Sequence, residues 1–382
     1  MIIKKLAARA IRDSRGEFTI EVQVNRSRAS APAGKSTGKH ETPAYHRSLK
    51  WNLAQLNSFQ ELRGLTLARF EDLEKVEETI RRKYKFRDAR KFGANPLFAL
   101  ECACLKEIAR EKGVPLWAVL NDKARKIPVP VGNAVGGGLH SHNRNAPTFQ
   151  EFLVVPQARS FRENYEIMRN AHRWLKRQVR ARTKNDEGAW QTSLSEEEVF
   201  SAMTSLARAR VGTDIAASSF YSRGKYVYKN KVLRKREQIE YVLKLIREFK
   251  LFYVEDPLHE EDFEGFSSLL SRAPRGCMIV GDDLTATQLE RLNRAIKLRS
   301  INAMIVKPNQ NGSLLELKRI IETCKKNRIK TILSHRSGET LDNALADLAV
   351  GFQTDYIKTG ISTKWREAKL KRLAEIEREI VN

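Results

Sequence analysis

The feature that most constrains this chain is a recurrence in its second two-thirds, where a short apolar run leads into a polar or ionisable residue six times over. The runs are Val211 to Asp214, Leu251 to Glu255, Met278 to Asp282, Ala303 to Lys307, Thr331 to His335 and Tyr356 to Lys358, and their end residues lie 41, 27, 25, 28 and 23 positions apart. Helical stretches fill the intervals, so each repeat reads as a strand and its crossover helix. Units of this length build a parallel sheet, and six or more of them favour a closed barrel over an open one. Such barrels place their chemistry at the C-terminal ends of the strands, which is where these six residues fall.

The chain ahead of the repeats has a different rhythm. Phe18, Ile20, Val22 and Val24 alternate with Thr19, Glu21 and Gln23 after an Asp13-Ser14-Arg15-Gly16 turn, the mark of a half-buried strand. From about Leu53 to Leu120 the spacing becomes helical, with Leu97, Leu100, Cys104, Leu105 and Ile108 recurring every three or four residues up to Gly113-Val114-Pro115. Lys126-Ile127-Pro128-Val129-Pro130 follows as a boundary, which divides the chain into an α+β domain over residues 1–126 and a barrel over 127–382.

Three of the six strand ends are carboxylates, Asp214, Glu255 and Asp282, contributed by successive strands. In a barrel they converge on one mouth, and hard divalent cations such as Mg²⁺ take oxygen ligands of this kind. Opposite them come Lys307, His335-Arg336-Ser337 and Lys358, a cationic half. A lysine in a dry site beside Mg²⁺ and other cations loses its proton readily enough to act as a base, which suits proton abstraction next to a carboxylate.

Composition removes other classes of function. With 382 residues and 41% of them hydrophobic, the chain has material for a large core or two domains and is not disordered. Four cysteines, Cys102, Cys104, Cys277 and Cys324, make neither a disulfide framework nor a paired zinc motif, so a reducing, cytoplasmic setting is expected. Lys4, Lys5, Arg9 and Arg12 interrupt the N-terminal apolar stretch before a secretory core forms, and no run of apolar residues suits a membrane span. The formal net charge of +24 predicts attraction to polyanions, nucleic acid among them, at low salt. Its local peaks are Arg81 to Lys91, Arg173 to Lys184, Lys229 to Arg236 and Lys364 to Arg372. Gly34-Lys35-Ser36-Thr37 imitates the end of a phosphate-binding loop, but Ala29 stands where that motif requires glycine. Gly136-Gly137-Gly138-Leu139-His140 lacks dinucleotide-binding spacing, and alternating His140 and His142 in so glycine-rich a loop make a poor metal pair.

Beyond these readings, the chain resembles the enolases over essentially its whole length. The resemblance rests on Asp13 to Gly16, Gly34 to Gly38, Gly93-Ala94-Asn95, Pro128-Val129-Pro130 with Asn133, Gly137 to His140, Gln150-Glu151-Phe152, Asp186-Glu187-Gly188, Glu255-Asp256-Pro257, Gly281 to Leu284, Lys307 to Gln310, Ser334 to Thr340 and Ile357 to Gly360. It implies a (β/α)8 TIM-type barrel capped by the small domain, and reversible dehydration of 2-phosphoglycerate to phosphoenolpyruvate. Carried over, Asp214, Glu255 and Asp282 hold the first of two Mg²⁺ ions. Lys307 removes the C2 proton, Lys358 stabilises the enolate-like dianion, and Glu187, assisted by Glu151, protonates the leaving hydroxide. His335 joins them in the catalytic group. Arg336 and Ser337 hold the phosphate, His140 and Gln150 line the pocket, and the loop at Ser36 closes over it and serves the second ion. A homodimer or higher homo-oligomer is implied as well.

Departures from the family pattern fall on loops. Lys35 stands where alanine is usual, Ala189-Trp190 replaces a glycine and an apolar-Ala-Pro turn, Ser219 takes the place of a glutamate, and His140 to Gln150 is about two residues longer than usual. They raise a second reading, a divergent relative with another carboxylate substrate or weak activity, and the net charge raises a third, a basic RNA-associated scaffold.

Overall fold

The structure, a computed structural model, describes residues 1–34, 38–141 and 143–381. Its opening strands β1 (Leu6–Arg12), β2 (Phe18–Val24) and β3 (Ser27–Ser30) form an antiparallel sheet in that order. Ile20, Val22 and Val24 are buried on one face, as the alternation requires. Phe18, expected with them, is instead exposed beneath the Arg12 guanidinium, whose carbon lies 4.3 Å from the ring centre. The helical region resolves into α1 (Leu49–Asn57), α2 (Leu73–Tyr84), α3 (Ala94–Lys112) and α4 (Leu116–Leu120). Helix α3 packs across β2 and β3, is buried along most of its length, and stops where Gly113 turns left-handed at φ 66°.

The barrel begins with β4 (Val129–Gly136), followed by β5 (Glu151–Pro156), α5 (Phe161–Gln178), the short β6 (Trp190–Gln191), α6 (Glu196–Met203) and β7 (Ala209–Asp214). A three-stranded meander, β8 (Tyr221–Ser222), β9 (Lys225–Val227) and β10 (Val232–Arg234), precedes α7 (Lys235–Glu248). Regular alternation then runs through β11 (Tyr253–Glu255), α8 (Phe263–Arg272), β12 (Met278–Gly281), α9 (Leu289–Leu298), β13 (Ala303–Val306), α10 (Pro308–Asn311), α11 (Leu314–Lys326), β14 (Lys330–Ser334), α12 (Ala344–Gly351), β15 (Tyr356–Lys358) and α13 (Lys364–Val381).

Strands β4, β5, β7 and β11 to β15 close into a barrel through the β15–β4 pairing, as expected. One detail departs from a uniform repeat. Strand β5 runs antiparallel to both β4 and β7, and a short 3₁₀ turn joins it to β4 in place of a helix. The reversal puts the first residue of β5, Glu151, opposite Asp214, the last of β7. A strand beginning at the mouth thus serves the site as well as one ending there.

The two parts of the chain are clasped together. Glu101 accepts the backbone N–H of Leu314 at 2.6 Å and Glu77 accepts the Ser313 hydroxyl at 2.5 Å, so two buried carboxyl groups from the small domain cap the N-terminus of α11. Burial pushes both of these acids above their ordinary range. No helix among the described residues is long and apolar enough to cross a membrane.

Candidate functional site

Five of the six strand ends and the start of β5 bring their polar residues to one cavity of about 440 Å³, lined by Glu151, Asp214, Asp282, Lys307, His335 and Lys358 among others. Glu255 lies directly beneath it, fully buried. The acidic and cationic halves expected from the sequence interleave. Lys358 Nζ lies 2.8 Å from Glu255 Oε2, 2.9 Å from Glu151 Oε2 and 3.2 Å from Asp214 Oδ2, while Lys307 Nζ is bonded to Asp282 Oδ2. Burial alone would strip a proton from either ammonium, but the facing carboxylates outweigh it, Asp282 for Lys307 and chiefly Glu151 for Lys358. Both lysines are therefore held above their ordinary values in the chain by itself, whereas the lowering expected for Lys307 is for the site with Mg²⁺ beside it.

The carboxylates remain short of cations. Burial and mutual repulsion push Asp214 and Glu255 upward although Lys358 opposes the shift. An oxygen-only donor set of buried acids, with more negative charge than two lysines neutralise, fits a hard divalent cation. Asp282 is aimed by its neighbour: Asp256, at φ 42°, accepts the backbone N–H groups of Asp282 at 3.0 Å and Asp283 at 2.7 Å. A non-glycine residue in left-handed backbone is strained, and here the strain sets the direction of a site residue.

Across the cavity stand Glu187, Glu151 and His140. His140 Nδ1 is 3.5 Å from Glu151 Oε1 and 3.8 Å from Glu187 Oε1, and the three side chains can be brought onto one ion or one proton. Burial lowers the imidazole, but Glu187 and Glu151 together hold it above its ordinary value. In return the His140 charge, with Arg366, overcomes the burial of Glu187 and holds that carboxyl at about 2. His335, buried beside Arg366 and both lysines, is held neutral by burial and by those charges.

Sequence reasoning missed the parts that hold the Glu187 loop. Asn185 Oδ1 accepts the backbone N–H groups of Glu187 and Ala189, each at 3.0 Å. His172 Nε2 is 2.9 Å from the Gly188 carbonyl, its ring stacks on Trp190 at 5.0 Å, and Trp190 Nε1–H donates back to the His172 carbonyl at 2.7 Å. Gly188 is forced by space, since a Cβ there would sit 2.1 Å from the Ser362 carbonyl oxygen. The loop departures read from the sequence touch one another. Ser141 in the lengthened His140 to Gln150 segment donates to Gln191 at 2.9 Å, and Asn143 donates to the Thr192 carbonyl at 3.1 Å. The altered turn and the longer loop are two halves of one contact.

Arg336 is buried and pairs with Glu41 at 2.9 Å, a partner with no signal in the sequence beyond its place after the Gly34 to Gly38 string. Ser337 Oγ accepts from Arg15 at 3.2 Å, and Ser14 and Ala33 bond to the backbone of the Ser337 to Glu339 segment. Gly338 has no room for a side chain because Asp13 Oδ2 would lie 1.9 Å from its Cβ. The Asp13 to Gly16 and Ser334 to Thr340 strings are thus one joint between the two domains. Gln150 lies at the cavity wall. Lys35, Ser36 and His142 lie outside the described residues.

Comparison with known proteins adds the following. Residues 3–120 match the enolase N-terminal domain and residues 124–382 the enolase C-terminal TIM barrel domain. The chain is 34% identical over 400 residues to the enolase of Archaeoglobus fulgidus, covering 99% of this chain and 97% of that one. It is 34% identical over 399 residues to that of Thermoplasma acidophilum, covering 98% of each. Against the enolase of Natronomonas pharaonis the identity is 36% over 403 residues, covering 98% of this chain and 99% of the other.

Proposed function

The chain belongs to the enolase family, and from that premise we propose that its barrel mouth is a hydro-lyase site, a phosphopyruvate hydratase interconverting 2-phosphoglycerate and phosphoenolpyruvate. The single observation that carries the assignment of roles is that Lys307 follows β13, four strands round the eight-stranded barrel from β5, whose Glu151 clusters with His140 and Glu187. Elimination of water needs two proton-handling groups on opposite sides of a substrate, one at C2 and one at C3. Similarity to enolases over the full length favours this reading over the divergent relative with another carboxylate substrate.

Asp214, Glu255 and Asp282 would hold Mg²⁺, which when bound supplies the positive charge that makes a proton next to a carboxylate acidic. A second ion would fall to the Ser36 region. Lys307 Nζ takes the C2 proton. Asp282 is the main group that holds a proton on Lys307, with Asp283 and Glu255 behind it, while burial and the Arg336 charge favour the free amine. Lys358 keeps its charge beside the developing enolate oxygens. Glu187 is ionised at neutral pH, so it first takes a proton from the neighbouring His140, whose imidazole Glu187 and Glu151 hold above its ordinary value, and then passes it to the leaving C3 hydroxide. Arg336, Ser337, Gln150 and the neutral His335 bind and orient the substrate, and a phosphate group must take Arg336 from Glu41. Four buried free cysteines are consistent with a cytoplasmic setting.

The test is the formation of phosphoenolpyruvate from 2-phosphoglycerate, with and without Mg²⁺, by the natural protein and Lys307→Ala. Mg²⁺-dependent turnover that the substitution reduces by about 10²- to 10⁴-fold or more is expected for loss of a general base. A folded natural protein without turnover, or full turnover in the variant, would overturn the reading.

A further inference from the structure

Of the four basic peaks in the sequence, three are partly neutralised by ion pairs and one is not. Arg81, Arg82, Lys83 and Arg90 are paired with Glu74, Glu78, Glu61 and Asp88. Lys231 and Lys235 pair with Glu197 and Asp262, and Lys369, Lys371 and Arg372 with Glu339, Glu367 and Asp347. From residue 167 to 185 the chain carries seven cations and no carboxylate. All seven, Arg169, Arg173, Lys176, Arg177, Arg180, Arg182 and Lys184, are exposed, and among the described residues none has an ion-pair partner.

We propose that the outer face of α5 and the segment leaving it form a track for the phosphate backbone of single-stranded nucleic acid. The opposite face of α5 is committed to the core through Phe161, Met168, Ala171, His172 and Leu175. On the outer face Arg169, Arg173, Lys176 and Arg177 recur at three- and four-residue spacing, one stripe along about 12 Å of helix axis. Arg180, Arg182 and Lys184 continue it toward the barrel mouth. Lys184 is tied there by its bond to Ser362 Oγ at 3.0 Å and lies 4.5 Å from the centre of the Trp190 ring, with Lys176 5.3 Å from the same ring.

Favourable placement at a helix C-terminus explains cations in the last turn only, Lys176 and Arg177. Nearby acids are already engaged: Glu166 with Arg162, Glu163 with Arg208, Glu367 with Lys371. The stripe therefore repels itself, and burial together with Lys176 lowers Lys184. A partner with regularly spaced negative charge relieves this repulsion and releases its own counterions. The half-buried rings of Tyr165 and Trp174 are interleaved with the cations, Arg169 lying 5.6 Å from the Tyr165 ring centre, and aromatic rings among cations suit stacked bases where an acidic peptide has none.

The experiment is fluorescence anisotropy of a labelled single-stranded RNA of mixed sequence with the full chain over a range of salt, without substrate. The variant reverses Arg173→Glu, Lys176→Glu and Arg177→Glu. A control makes the same charge change at three paired cations, Arg82→Glu, Arg272→Glu and Lys318→Glu. Binding by the natural protein is expected to weaken with salt, and loss of three phosphate contacts should reduce the logarithmic salt slope by about 2. Affinity at low salt should fall tenfold or more in the track variant and less than threefold in the control, with thermal melts confirming that both are folded. Equal losses in the two variants, no binding by the natural protein, or displacement of RNA by polyglutamate at equal charge concentration would each overturn the proposal. Substrate turnover plays no part in this readout, so its outcome is separate from that of the hydratase reading.

Discussion

The interior of the barrel and its mouth are made by the same strands, yet they are built on opposite terms. Inside, Val131, Leu153, Val155, Tyr253, Met278, Val280, Ala303, Ile305 and Ile332 pack against one another as a closed apolar cluster. Two or three residues nearer the mouth on the same strands stand Glu151, Glu255, Asp282, Lys307 and His335, joined there by Asp214 from β7 and Lys358 from β15, most of them equally buried. Burying apolar surface is favourable at about 25 cal/mol per Å². Burying a charge costs several kcal/mol unless it is paired and hydrogen-bonded. The interior therefore stabilises the fold that holds the mouth in an unfavourable state. Tyr253 is the joint between the two, its ring in the apolar cluster and its hydroxyl donating to Glu255 at 2.5 Å.

If this contrast is right, Lys358→Ala should have the largest effect. It leaves Glu151, Asp214 and Glu255 facing one another without a cation, so urea unfolding of the metal-free protein should show a loss of about 3–5 kcal/mol, partly recovered by Mg²⁺. Turnover should fall by about 10²-fold or more, as for removal of a preorganised charge. An unchanged unfolding midpoint would break the comparison, because the mouth would then carry no strain for the interior to offset. Ile305→Ala sharpens the other side. It should cost about 2–5 kcal/mol of stability by the cavity it leaves, with kcat/KM unchanged wherever the protein is folded.

His172 tests the ground between. Burial and the charge of Lys184 hold its imidazole at about 4 against an ordinary 6.5. A histidine whose folded value is depressed contributes its full stabilisation above the unfolded value and loses it as pH falls toward the folded one, so stability should decline from about pH 6.5 toward pH 4. The decline attributable to this group is up to about 3 kcal/mol. His172→Phe keeps the stacking on Trp190, should remove that component from the pH dependence of the melting temperature, and should lower kcat about tenfold by releasing the Gly188 carbonyl, with KM little changed. A pH profile of stability identical to that of the natural protein would show that His172 does not carry the acid sensitivity.

Much of this was legible in the sequence because barrels impose a simple rule. Six apolar runs ending in polar residues are read directly from period and spacing, and the structure brings all six end residues to one mouth. Strand β5 was not legible as antiparallel, since Glu151-Phe152-Leu153-Val154-Val155 has its ionisable residue at the start, and a continuous apolar run carries no sign of direction. Strand β1 was hidden for the opposite reason: with Arg9 and Arg12 in it and only Leu6 well buried, it has little alternation to detect. Glu41 on Arg336 and His172 on Gly188 are contacts across long or irregular stretches of chain, and no local pattern encodes them, whereas Asn185 under Glu187 is a local Asx turn that its asparagine signals. The pairing of Lys307 with Asp282, which holds the lysine above its ordinary value in the metal-free chain, is a matter of geometry that the sequence does not encode.

The central claim is that the mouth has two proton-handling walls, Lys307 for C2 and the Glu187 cluster for C3. It is tested most directly by following deuterium exchange at C2 of 2-phosphoglycerate in D₂O, alongside phosphoenolpyruvate formation, in Glu187→Gln and Lys307→Ala. The account predicts that Glu187→Gln continues to exchange the C2 hydrogen while forming little product, and that Lys307→Ala loses both. Exchange that survives in Lys307→Ala, or that disappears in a folded Glu187→Gln together with turnover, would contradict the division.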